Sequence, residues 1–209
     1  MKRLNFLVVA IMFNLSISGQ CLKSGDLIFQ VESQNDFSKA ISDSTVGTDS
    51  ISFVHVGIIE ITNEDKFFVI EASPKKGVCV TPLEEFIDEA PKLNGLPGVV
   101  IKRLTIPISS EKIIEKAKSY LGKKYDWWYL PDNEYIYCSE LVYESFLDEA
   151  GNHIFKAEPM NFRAKDGKMP EFWVKLFEEL GREIPEGELG TNPNDLSKEN
   201  LLKEIFCYF

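Results

Sequence analysis

Two apolar runs joined by a short polar link constrain this chain more than any other feature. Phe53-Val54-His55-Val56-Gly57-Ile58-Ile59 and Phe67-Phe68-Val69-Ile70-Glu71-Ala72 are rich in β-branched and aromatic residues, and Thr62-Asn63-Glu64-Asp65-Lys66 between them is turn-like. The pair reads as antiparallel strands, which places a sheet at the centre of the fold. Each run carries one ionisable residue out of keeping with its neighbours, His55 in the first and Glu71 near the end of the second. A histidine fixed on a strand can be aimed. A carboxylate beside it can accept the second imidazole N–H, fix the tautomer and stabilise the imidazolium. The chain has one other histidine, His153, which follows Gly151-Asn152 in a post-helix loop and is less constrained.

A base needs a nucleophile, and Tyr137-Cys138-Ser139-Glu140-Leu141-Val142 supplies a candidate at the start of a helix. Leu141, Val142, Phe146 and Leu147 give that helix one apolar face, so Cys138 falls in its first turn. Unpaired N–H groups and the positive end of the helix dipole favour the thiolate there, and the thiolate is the nucleophilic form. The backbone N–H of Cys138 is also a natural oxyanion donor. Glu140 is expected to favour the helix N-terminus by its charge. Taken alone, Cys138 reads first as a buried structural thiol; His55 and Glu71, with the family pattern below, turn the reading toward catalysis.

The order His55, Glu71, Cys138, with Gly25-Asp26-Leu27-Ile28-Phe29 upstream, resembles the circularly permuted NlpC/P60 papain-like group, and within it the YiiX/YebB-like hydrolases. Four motifs carry the resemblance: the Gly-Asp-hydrophobic strand, His55-Val56-Gly57-Ile58, Ile70-Glu71-Ala72 and Tyr137-Cys138-Ser139-Glu140-Leu141. It runs from Gly25 to Leu202 and includes the segment Gly187 to Pro193 with its Gly-Thr-Asn-Pro turn. The resemblance implies an α+β, circularly permuted papain-like fold, an antiparallel sheet packed against helices with the nucleophile at a helix N-terminus. It also implies a Cys138-His55-Glu71 triad that cleaves amide bonds through an acyl-enzyme. Tyr125 and Tyr137 are placed near the active centre by the same likeness, Tyr125 as a donor to substrate or oxyanion. Trp127 joins them as a substrate-binding candidate, with ordinary core packing the competing reading for Trp127 and Trp128.

The ends of the chain bear on where such an enzyme works. Lys2 and Arg3 precede an apolar stretch from Leu4 to Ile17, and small residues follow, the pattern of a secretory signal peptide over residues 1–18. The stretch is shorter than the ~20 residues a membrane span needs. The mature chain, 19–209, is expected to form one domain with a C-terminal elaboration from about residue 152. An exported protein would be periplasmic or extracellular. It would meet a membrane only if Cys21 became a lipidated N-terminus, a reading that Gln20 argues against. The formal net charge of −10 becomes more negative once Lys2 and Arg3 are removed, which disfavours nucleic acid as a partner. The cysteines at 21, 79, 138 and 207 lack C-x-x-C spacing and only two histidines are present, so neither a metal nor another cofactor is expected. Cys79 and Cys207 read as packing residues.

The remaining elements read as scaffold. Asp26 to Val31 is a strand, with Asp26 bonding local backbone; Asp36 to Ile41 is a short helix, and Ser42 to Ser52 is a polar loop. Thr81 looks like the cap of a helix with Pro82 at its first position. Pro91 to Gly98 is a loop and Val99 to Leu104 a strand. Ser109 or Ser110 caps a helix ended by Gly122, and Pro170 begins an amphipathic helix stopped by Gly181. Leu196 to Phe206 is expected to be a final helix or turn. The resemblance implies a peptide or peptidoglycan-derived substrate. Two rival readings stand beside that one: a lipid or acyl-amide directed thiol hydrolase or acyltransferase on the same fold, and a non-catalytic peptide or cell-wall binding module.

Overall fold

The computed structural model describes residues 22–45 and 51–208. The expected signal peptide, Cys21 and part of the polar loop before His55 lie outside them. Along the chain come β1 (Leu27–Val31), α1 (Asp36–Ser44), β2 (Phe53–Ile61), β3 (Phe67–Ser73) and β4 (Gly77–Pro82). Then follow α2 (Leu83–Asp88), the two-residue strands β5 (Lys92–Leu93) and β6 (Leu96–Pro97), β7 (Val99–Leu104), α3 (Ser110–Lys118) and α4 (Cys138–Ser145). The last third holds β8 (Glu158–Pro159), α5 (Glu171–Leu180), β9 (Leu189–Gly190), α6 (Pro193–Ser197) and β10 (Leu202–Cys207).

Six strands form one antiparallel sheet in the order β10-β7-β1-β2-β3-β4. The hairpin read from the sequence is present, with Gly57 opposite Glu71 and Ile59 opposite Val69. Alternation along β1 explains why this strand is apolar at every position but Gln30. Leu27, Phe29 and Val31 enter one core with Val56, Ile58, Ile70 and the α4 residues Leu141 and Val142; Ile28 enters a second core with Ile59, Val69 and Phe86. Both faces of the sheet are therefore covered. Burying a side chain of Leu or Phe size contributes ~1.5–3 kcal/mol, and α4 places Leu141, Val142 and Phe146 fully inside.

The C-terminal third packs into that same first core through Phe155, Phe162, Trp173, Phe177 and Leu196. One expectation holds only in part. Leu196 to Leu201 is the end of a helix followed by turns, but Leu202–Cys207 is a strand, β10, which pairs with β7 and forms a sheet edge. Residues with good helix propensity are overridden by the backbone pairing that the edge of β7 offers. The helix in this region is the short α6, capped by the Asn192 side chain, which accepts from Asp195 N–H at 2.9 Å, with Pro193 in its first turn. Two smaller revisions follow. Residues 92–97 form a tiny hairpin, and Cys79 is half-buried on the edge strand β4 where a core position was expected.

Candidate active site

The strand side of the site is a chain of hydrogen bonds. Antiparallel pairing sets Gly57 opposite Glu71, so His55, two residues back on the same face, lies diagonal to the carboxylate. The His55 Nε2–Glu71 Oε2 distance is 2.6 Å. The hydroxyl of Thr81 donates to the other oxygen, Oε1, at 2.6 Å. Thr81 is 2% exposed and sits two residues beyond Cys79, the register partner of Glu71. It does not cap α2, whose N-cap is Pro82 without a side-chain bond. The ring of Phe86 stacks on His55 at 5.7 Å, so α2 closes over the imidazole.

With Nε2 held by Glu71, Nδ1 is the nitrogen left to serve Cys138, whose side chain acts on the imidazole. Burial alone pulls the imidazole pKa down. Hydrogen bonds to Cys138 and Glu71, and the charges of both, outweigh burial and raise it from 6.5 to about 10. Glu71 has the reverse balance: burial pushes its pKa up, and the bonds from His55 and Thr81 hold it below the ordinary value. The pair is thus built to carry a positive imidazole.

Cys138 is the first residue of α4 and is 3% exposed. Its amide is among the four at a helix start that have no intrahelical acceptor. Glu140 accepts from the Tyr137 amide at 3.2 Å and so completes the first turn. Its contribution differs from the expected one. Burial raises the Glu140 pKa to about 8, against the backbone bond from Tyr137 that lowers it, so near neutral pH it acts as a hydrogen-bonding group more than as a charge.

The aromatic stretch reaches the site through a closed loop. Ile136 N–H donates to Lys124 O and Asp126 N–H to Ile136 O, both at 3.2 Å, which brings Tyr125 alongside Tyr137 and Cys138. The loop is organised by Asp126, which has no exposed surface and accepts from Trp128 N–H at 2.8 Å, Leu130 N–H at 3.1 Å and Asn133 Nδ2 at 3.0 Å. Tyr129 sits at φ 53°, a conformation costly for a bulky residue and persistent only where the surroundings enforce it.

Tyr125, Tyr129, Tyr137, Cys138 and Ser139 line one side of a narrow pocket of about 60 Å³. Met160, Phe162, Trp173 and Thr191 close the other. Burial, with Tyr129 and Cys138 as neighbours, holds the Tyr125 phenol well above the usual tyrosine range, so it stays protonated and able to donate. Tyr137 also reaches across the pocket. Its hydroxyl accepts from Thr191 N–H at 3.1 Å and ties the Gly-Thr-Asn-Pro turn to the site. Gly190 permits this closure, since a Cβ there would stand 2.4 Å from Met160 Sδ. Trp127 does not line this pocket. It packs on Phe37 and Tyr125 and faces an adjoining groove, because the tight turn around Asp126 directs it to the far side of Tyr125. His153 lies elsewhere, stacked on Tyr143 at 3.9 Å.

The sequence reading gives no site role to Asp126 or Tyr129, and reads Thr81 only as a helix cap. Thr81 had a visible signal, since once Glu71 is paired with Cys79 the residue two further along β4 must share its face. The buried hydroxyls of Tyr129, Ser139 and Thr191, all on the pocket wall, make no well-formed hydrogen bond within the described residues.

Comparison with known proteins agrees with this geometry. A family model described as "Permuted papain-like amidase enzyme, YaeF/YiiX, C92 family" matches residues 21–206. A relative named "Uncharacterized protein YiiX", from Escherichia coli (strain K12), is 30% identical over 174 residues, 82% of this chain and 79% of its own length. A crystal structure described as that of the metalloprotein YiiX from Escherichia coli O157:H7 superposes with a TM-score of 0.71 at 27% identity, covering 90% of this chain and 98% of its own. That description concerns the other protein; among the described residues here, no group of three or more His, Cys, Asp or Glu comes together that could hold a metal ion. The family match spans both the strands that carry His55 and Glu71 and the helix that begins at Cys138, and the chain belongs to the C92 family of permuted papain-like amidases, cysteine hydrolases by fold and class.

Proposed function

We propose that Cys138, His55 and Glu71 form the catalytic triad of an exported amidase acting on cell-wall peptides or related small peptides. The observation that carries the reading is the unbroken path Thr81–Glu71–His55–Cys138 ending at the first residue of a helix. His55 Nδ1 takes the thiol proton, and Cys138 Sγ attacks the amide carbonyl, forming a C–S bond. The oxyanion turns toward the Cys138 amide and the Tyr125 phenol. The imidazolium, stabilised by Glu71, then gives its proton to the departing amine as the C–N bond breaks. Water adds to the thioester with His55 as base, and the free acid and thiol are restored. Export rests on the signal-like residues 1–18, which would place the enzyme beside the cell wall.

A specific observation favours a second reading. The pocket beside Cys138 is walled by Ile41, Met160, Phe162 and Trp173 and has no charged side chain in its lining, which suits an uncharged acyl arm, as in a lipid or acyl-amide substrate. A screen for acid and amine release from muropeptides and from N-acyl amino acids, with Cys138→Ala as control, separates the two. Turnover of muropeptides supports the first reading, turnover confined to acyl amides supports the second, and turnover that survives in Cys138→Ala overturns both.

A further inference from the structure

Two lysine-bearing turns far apart in sequence are fastened together on the far side of Tyr125. Val78 N–H donates to Lys123 O at 2.8 Å, and Gly122 N–H donates to Val78 O at 3.0 Å. Gly77 makes the approach possible: it lies at φ 70°, and a Cβ there would stand 2.3 Å from Lys123 O. The result sets Lys75 and Lys76 against Lys123 and Lys124 around one groove of about 470 Å³. Trp127 and Trp128 line the same groove, and Arg182 stacks over the Trp128 ring at 3.7 Å from its centroid. A cluster of cations is conspicuous in a chain of net charge −10.

The cations are not all spent on internal partners. Lys76 pairs with Glu85 at 3.1 Å, and Lys123 lies 5.1 Å from the centre of the Tyr120 ring. Lys75 and Lys124 are exposed and have no acidic partner among the described residues. Tyr125 is the wall shared between this groove and the Cys138 pocket. The two cavities therefore differ in chemistry while sharing a side chain: one is free of charge, the other is basic and aromatic.

We infer that the groove is a binding subsite for a carboxylate on the arm of the substrate that lies outside the Cys138 pocket, so that the preferred substrate is an amide with one uncharged arm and one acidic arm. The inference deepens the proposed amidase reading and rests on it for the word substrate. Aromatic faces pack the chain of such an arm, and exposed ammonium groups select its charge, attracting it most at low ionic strength.

The test separates binding from turnover. Cys138→Ala protein is titrated with the peptide Ala-Glu-Ala bearing free carboxylates and with its twin in which both carboxylates are amides, and the indole N–H signals of Trp127 and Trp128 are followed by NMR. The acidic peptide is expected to bind about tenfold more tightly than its twin, and the difference to vanish in Lys75→Gln/Lys124→Gln and at high salt. Equal binding of the twins, or an undiminished preference in the lysine variant, overturns the inference. Displacement of the acidic peptide by glycerol phosphate at equal concentration overturns the assignment to carboxylate. Because the readout is binding to an inactive protein, failure of the amidase reading appears separately, as absent turnover in the wild type.

Discussion

The two walls that meet at Cys138 are built on opposite terms. On the strand wall each polar atom that matters has a partner: Thr81 bonds Glu71, Glu71 bonds His55, and His55 reaches Cys138. Around the pocket the hydroxyls of Tyr129, Ser139 and Thr191 are buried without a well-formed bond among the described residues, and Tyr129 holds a left-handed backbone conformation. A satisfied network costs little to bury and holds its geometry; an unsatisfied hydroxyl costs ~1–3 kcal/mol and is tolerated where something else is gained. The first wall is set before substrate arrives. The second leaves those hydroxyls without a partner among the described residues.

The contrast breaks most visibly at His55. Replacement by Ala removes the base and the imidazolium together, and kcat/KM is expected to fall by about 10²–10⁴-fold with an intact fold by circular dichroism. Thr81→Val tests the outer end of the strand wall. It leaves Glu71 Oε1 without its donor, and a loss of about tenfold in kcat at nearly unchanged KM is expected, with Thr81→Ser restoring most of it. An equal loss in both variants would make Thr81 a packing residue only.

Titration separates the contributions further. The folded pKa of Glu140 is about 8 against 4.5 unfolded, so between those values the folded chain holds a proton that the unfolded chain has lost, and stability declines as pH rises through the window. His55 at about 10, against 6.5 unfolded, gives a second decline: its contribution is complete below 6.5 and is lost as pH rises through 10. Urea unfolding across pH 5–10 should therefore show both slopes in the wild type, and Glu140→Gln should remove the lower one while leaving the upper. The smallest effect belongs to the unsatisfied wall. Ser139→Ala removes a buried hydroxyl that bonds nothing among the described residues, and stability should stay level or rise by up to about 1 kcal/mol, whereas substrate affinity should weaken. A clear loss of stability would mean that Ser139 is already satisfied in the free protein.

Much of the strand wall was legible in the sequence because its logic is local. The β-rich runs around His55 and Glu71, separated by a polar turn, fix the hairpin, and a period-2 strand places the two side chains on one face. The helix behind Cys138 announces itself through Leu141, Val142 and Phe146. What escaped depends on contacts between distant segments. Thr81 looks like a cap until β4 is in register with β3. Trp127 looks like a neighbour of Cys138 until the Asp126 turn places it on the adjoining groove, on the other side of Tyr125. The pocket's far wall comes from Phe162, Trp173 and Thr191, whose local sequence says nothing about which helix they will face. β10 was misread because its partner, β7, lies about a hundred residues away in the chain. Asn192-Pro193 could have been read as the start of α6, being a capping residue followed by a proline suited to the first turn.

The proposed triad hinges on the coupling of His55 to Cys138, and the rate at which Cys138 is alkylated as a function of pH tests that coupling most directly. Iodoacetamide labelling, scored peptide by peptide against Cys79 and Cys207 in wild type and His55→Ala, isolates the thiol in question. Cys138 is expected to label faster than Cys79 and Cys207 at pH 6, and His55→Ala to abolish that advantage. A Cys138 that labels no faster than Cys79 and Cys207 at pH 6, or labels equally fast without His55, would contradict it.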